Sequence, residues 1–157
     1  PPVTSPALKK IYRRILRGAP LASLVARRKW TILRAILSQW PPPPHEVPPA
    51  DASRFLCTRE GDGGDTALHL CFRGHERALM APPDIVRLLL ANCGPSDASV
   101  RNGSGRLPLH CACLAADRGH VCDVLALNPL AAMVQDGEGR TPFLCTMLAR
   151  GEHEMAG

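Results

Sequence analysis

Three glycine-led signals at near-regular intervals constrain this chain more than anything else in it: Gly64-Asp65-Thr66-Ala67-Leu68-His69, Gly105-Arg106-Leu107-Pro108-Leu109-His110 and Gly139-Arg140-Thr141-Pro142-Phe143-Leu144. In each, a glycine able to take positive φ ends an extended segment. An alanine or proline three residues on then opens a helix, at a position where proline's missing N–H costs nothing. Gly105 and Gly139 are 34 residues apart, Gly64 and Gly105 are 41 apart, and Pro95 and Pro129 each stand ten residues before a glycine. Self-similarity at this period is the mark of stacked repeats, each too small to bury its own apolar face. The expected fold is therefore all-α, a solenoid of helix-turn-helix units joined by short extended fingers.

At these residues the chain resembles the ankyrin-repeat family. Gly64 to Leu70 followed by Asp84 to Leu90, and Gly105 to Cys113 followed by Val121 to Leu127, match its turn, first helix and second helix. Gly139 to Arg150 matches the start of a third copy. The resemblance spans about residues 55–157. It implies that His69 and His110 are structural, an imidazole bonding the backbone of the next repeat, with Thr66 supplying a hydroxyl to His69. Leu107 replaces that threonine in the second copy and Leu144 replaces the histidine in the third.

The formal charge of +5 conceals an asymmetry: residues 1–45 carry +9 with no acidic residue, and residues 46–157 carry −4. Apolar residues Leu8, Ile11, Tyr12, Ile15 and Leu16 recur at helical spacing with Lys9, Lys10, Arg13, Arg14 and Arg17 between them. A second helical pattern runs from about Leu21 to Gln39, and Pro41 closes it. Residues 1–45 thus read as basic amphipathic helices forming a degenerate capping repeat with a polar outer face. Pro41 to Pro49 reads as polyproline II leading into a Pro/Gly-rich loop insertion over 46–63. The repeats follow at 64–104, 105–138 and, in part, 139–157. Helices are expected at about Thr66–Arg73, Asp84–Asn92, Leu107–Ala116, Val121–Leu127 and Thr141–Arg150, with fraying near Glu152 to Gly157. The chain begins without methionine and stops inside a repeat, which reads as a fragment of a longer protein.

Seven cysteines at repeat-core positions point to reduced thiols and an intracellular setting, cytoplasmic or nuclear, with organelle targeting left open by the Arg-rich start. The longest apolar runs are far below the ~18–20 residues a membrane span needs. His110, Cys111, Cys113, His120 and Cys122 invite a zinc reading. Cys111 and Cys113 are one residue apart, however, and so point to different sides of a helix, not the pair spacing a structural zinc site uses. No phosphate loop, dinucleotide fingerprint or nucleophile constellation occurs. The expected function is a non-catalytic protein-binding module that needs no cofactor or metal and binds no small-molecule substrate, monomeric in solution. By register, its contacts are Arg59, Glu60, Asp62, Arg101, Asn102, Ser104, Gln135, Asp136 and Glu138 at the finger tips, with Arg73, His75, Asp117 and Arg118 beyond the first helices. The alternative places the function in the basic segment 9–34, bound to nucleic acid or anionic membrane or acting as a targeting segment, with the repeats as scaffold.

Overall fold

The computed structural model describes residues 6, 21–39, 56–73, 80–115 and 118–155, the side chains of 152–155 excepted. The expected helix over residues 8–16, the polyproline run 41–49, His75 and Asp117 lie outside the described residues.

Among the described residues, seven named helices form two rows. The inner row is α1 (Leu21–Ala26), α3 (Ala67–Cys71), α5 (Pro108–Leu114) and α7 (Pro142–Met155), each packed on the next; the outer row is α2 (Trp30–Leu37), α4 (Pro83–Asn92) and α6 (Arg118–Leu127). Helices of five to ten residues are marginal alone because nucleation outweighs so few hydrogen bonds, so contacts between rows and between repeats must hold them. One continuous core does this, running from Leu21, Leu33 and Ile36 through Leu68, Ile85 and Leu89 to Leu109, Ala112, Val124 and Cys145. Asn92 adds a polar tie from α4 to α2, its Nδ2 donating to the carbonyls of Leu88 at 2.7 Å and Leu37 at 3.3 Å.

Two expectations need correction. The single helix foreseen over residues 21–39 is a helix pair, broken at Arg27-Arg28-Lys29 with Arg28 in the left-handed region at φ 53°. The break lets Leu21, Ala22 and Val25 pack on α3 while Leu33, Ile36 and Leu37 pack on α4. One straight helix cannot serve both rows, so tertiary packing overrides a stretch that carries no glycine or proline. The other is α7, which runs to Met155 instead of ending at Arg150. A single glycine at 151 costs a helix only about 1 kcal/mol, and no turn follows it. Phe143, Leu144, Met147 and Leu148 on this helix are exposed, as are Leu130 and Met133 beside it. Among the described residues no helix is long and apolar enough to cross a membrane.

Two 3-10 turns, Asp97–Ser99 and Pro129–Met133, lead into the second and third fingers. They explain the 34-residue recurrence of Pro95 and Pro129, since proline presets the φ that such a turn begins with.

Candidate functional site: the finger edge

Each finger is a tight reversal of the backbone before an inner helix. In the second, Asn102 N–H donates to Arg106 O at 2.9 Å and Gly105 N–H to Asn102 O at 3.0 Å; in the third, Asp136 and Arg140 at 2.9 Å and Gly139 and Asp136 at 3.1 Å repeat the pattern. The first finger is one residue longer, closing from Glu60 N–H to Asp65 O at 2.7 Å. Successive fingers are clipped together: Gly103 N–H donates to Gly63 O at 2.7 Å and Gly137 N–H to Ser104 O at 3.0 Å. Gly105 has φ +71°, and a Cβ there would stand 2.7 Å from the Gly137 nitrogen. Only glycine meets both demands, the left-handed turn and the close approach.

Side chains complete the clips. Asn102 Oδ1 accepts from the N–H groups of Ser104 and Arg106, both at 3.0 Å, while its Nδ2 reaches back to Asp65 Oδ1 at 2.8 Å. Asp136 does the same one repeat on: Oδ1 accepts from Glu138 and Arg140 N–H at 2.9 Å, and Oδ2 takes the guanidinium of Arg140 at 3.1 Å and Arg106 at 3.4 Å. Burial pushes this carboxyl up, but the two N–H groups and Arg140 outweigh it and hold it at about 2. Glu138 bridges the same two arginines, 3.0 Å from Arg106. Arg101 Nη1 donates to Gly105 O and Gln135 O, both at 2.8 Å, tying the second finger to the third.

The histidines stand just inside. His69 Nδ1 accepts from Thr66 N–H at 3.2 Å and lies 2.8 Å from the Thr66 hydroxyl, so the ring proton belongs on Nε2, which faces Arg106 O at 2.9 Å. His110 keeps the backbone half of this, with Leu107 N–H at 3.2 Å and Arg140 O at 3.1 Å. Burial lowers the pKa of both, which keeps Nδ1 available as an acceptor. Each imidazole is thus a pin between repeats, with both ring nitrogens occupied. Leu144, in the third copy's equivalent slot, is exposed.

The residues foreseen as contacts therefore divide. Arg59, Asp62, Ser104, Gln135 and Glu138 are exposed on the fingers, and Arg73 and Arg118 are exposed beyond the inner helices. Glu60 and Asn102 are half-buried. Asp136 is a correction: it is 7% exposed and its carboxylate is enclosed by the turn it closes. Arg101 is exposed, but its guanidinium clips two fingers. Arg106, Arg140 and Asp65 were missed, although a signal exists: an Asn or Asp three residues before the glycine and an Arg one after it recur at 34-residue spacing.

Residues 63–103 match the family model for the ankyrin repeat. That stretch of the chain is an ankyrin repeat. The ankyrin histidine pin, the finger and the paired helices recur over the next repeat, beyond the matched stretch. Among curated proteins and among solved structures, nothing matches. Ankyrin repeats are in general protein-interaction modules.

The seven cysteines are free thiols. Burial pushes Cys71 and Cys111 up to about 12, far from the depressed values of reactive thiols. Among the described residues, no group of three or more His, Cys, Asp or Glu side chains comes together to hold a metal ion.

Proposed function

We propose that this chain is a non-catalytic module that binds a partner protein through its finger tips and the adjoining face of the inner helices. The supporting observation is the division of labour in the fingers. Arg101, Asn102, Asp136, Arg106 and Arg140 brace the edge, while Arg59, Asp62, Ser104 and Gln135 stand exposed along it. A rigid edge carrying side chains that the brace does not need binds with little ordering cost. Replacing Arg59, Asp62, Ser104 and Gln135 together by alanine should leave the circular dichroism spectrum unchanged and abolish cross-links from the finger edge to a captured partner. Undiminished capture by the folded quadruple variant would refute the proposal.

The alternative, a basic segment bound to nucleic acid or membrane, loses one cation to the fold, since Arg34 pairs with Asp84 across α2 and α4. Capture repeated after nuclease treatment and with residues 1–45 deleted separates it from the finger reading.

A further inference from the structure

The stack shows how one repeat receives the next. His110 on α5 donates from Nε2 to Arg140 O of the following finger at 3.1 Å, and Ser99 in the first 3-10 turn accepts from Asn128 Nδ2, at the start of the second, at 2.9 Å. Leu109 and Cys113 on α5 are buried beside them. One period of 34 residues on, the same positions are Leu144, Met133, Phe143 and Met147, and all four are exposed. Phe143, Leu144, Met147 and Leu148 lie on one stripe of α7. Leu130 and Met133, three residues apart and so aligned in a 3-10 turn, belong to the turn that packs on α7. Together they form one face on the side of α7 that α5 turns toward α7.

These six side chains are between 43% and 83% exposed. At roughly 200 Å² for a fully exposed large side chain, they present roughly 700 Å² of apolar surface. The largest apolar patch of an ordinary monomer is about 300–600 Å², whereas a specific complex covers about 800 Å² on each partner. A solenoid also needs polar ends to stay apart in water, and this face is apolar.

The chemistry of the face narrows its occupant. Leu144 stands where His110 pins a carbonyl and Met133 where Ser99 takes an amide proton, so the polar bonds by which a further ankyrin unit would seat are gone. The stretches 129–134 and 141–149 hold no charged residue, so nothing selects an oppositely charged partner and nothing repels an identical one. The helix expected over residues 8–16 cannot lie along α7 of its own copy. From Leu16 to Leu21 the backbone reaches at most about 18 Å, and α1 is three inner-helix spacings of about 8–10 Å each from α7.

We propose that this face joins two copies of the chain, α7 against α7 across a two-fold axis, in place of the monomer expected from the sequence. A two-fold contact must be self-complementary, and it sets the helices antiparallel. Phe143 of each copy then comes opposite Leu148 of the other, and Leu144 opposite Met147, with Leu130 and Met133 flanking the pair. Such a dimer presents two finger edges at once, and with the finger reading it holds a bivalent target more tightly than either edge alone.

The test is sedimentation velocity of the whole chain over a hundredfold range of concentration. Monomer should pass into dimer and no further, because a two-fold contact closes on itself. Phe143→Glu with Met147→Glu, both at exposed positions, should keep the helix signal and weaken dimerisation at least tenfold; if that pair loses helix signal, Phe143→Gln with Met147→Gln is read instead. With Phe143 replaced by benzoylphenylalanine, irradiation should join position 143 to α7 of the second copy. A monomer throughout, growth beyond a dimer, a dimer indifferent to the substitutions, or cross-links outside α7 and the Pro129–Met133 turn would overturn the proposal. So would a monomer whose α7 takes up an added amphipathic helical peptide, since the occupant would then be another protein's helix. The finger-tip quadruple variant should dimerise normally, so this proposal and the finger reading fail separately.

Discussion

The two edges of this solenoid spend their charges differently. On the finger edge Asp136, Glu138, Arg106, Arg140, Asn102 and Asp65 are linked to one another within and between repeats. On the turn edge, where inner helices lead into outer ones, Arg27 and Lys29 stand exposed, and Arg118 and Arg150 stand exposed beside an apolar cleft. The difference follows from backbone. A finger is a reversal with polar groups that no helix satisfies, so nearby side chains are recruited to satisfy them. The turns from inner to outer helices follow helix C-termini, where the unpaired backbone groups are carbonyls and cations are favoured. Charge on the first edge therefore serves the fold; on the second, Arg73 is tied to the fold through Asp65 while Arg118 and Arg150 stand exposed.

The comparison breaks first at the glycine clip. Gly105→Ala should destabilise the chain by about 3 kcal/mol, adding left-handed strain to overpacking against Gly137. Gly139→Ala, with φ +75° but nothing within 4 Å of its Cβ, should cost only ~1–2 kcal/mol. Chemical denaturation of both variants measures the gap, and equal losses would mean that the fingers do not clip.

The next effect is pH-dependent. Asp136 has its pKa lowered from 3.8 to about 2 in the folded chain, so its contribution is present above the unfolded value and lost as pH falls through the folded one. That difference amounts to about 2 kcal/mol. Wild type should lose this much between roughly pH 4 and pH 2, from Asp136 alone. Asp136→Asn should be less stable at neutral pH and should lack this component of the acid loss in urea titrations at stepped pH. Parallel acid profiles would show that the carboxylate does not brace the finger.

The smallest change belongs to the other edge. Arg118→Glu with Arg150→Glu should shift stability by no more than about 0.5 kcal/mol, as exposed substitutions away from structural bonds do. A loss as large as that of the glycine clip would make these arginines part of the fold and erase the contrast between edges.

Much of the scaffold was legible before any coordinates. Leu89 and Leu109, within two of the helices expected from the repeats, are 1% and 2% exposed, because helical spacing of apolar residues reports directly which face must leave water. The histidine pins were readable from Thr66, His69 and His110 and from the resemblance they carry. The candidate site was legible only in outline. Counting from the glycines located the fingers but could not tell Gln135, which is exposed, from Asp136 beside it, which is buried. Both are polar residues in a turn. What separates them is that an Asx oxygen three residues before the glycine reaches two backbone N–H groups of its own turn. The break at Arg28 gave no local signal at all, since the preference of Arg27-Arg28-Lys29 for helix was overruled by two rows of partners.

From sequence alone came the repeat period, the turn glycines, the apolar stripes and the polarity of the chain, basic at its start and acidic beyond. These are local quantities, set by which φ a residue tolerates and which side chains water excludes. Tertiary structure decided which charges are consumed. Arg101 and Gln135, or Arg106 and Asp136, lie 34 and 30 residues apart along the chain and meet only once the repeats stack. It also brought Arg118 and Arg150, from helices of different repeats, to one cleft. Pairing depends on distances of a few ångströms between side chains from different repeats, and no local preference encodes those.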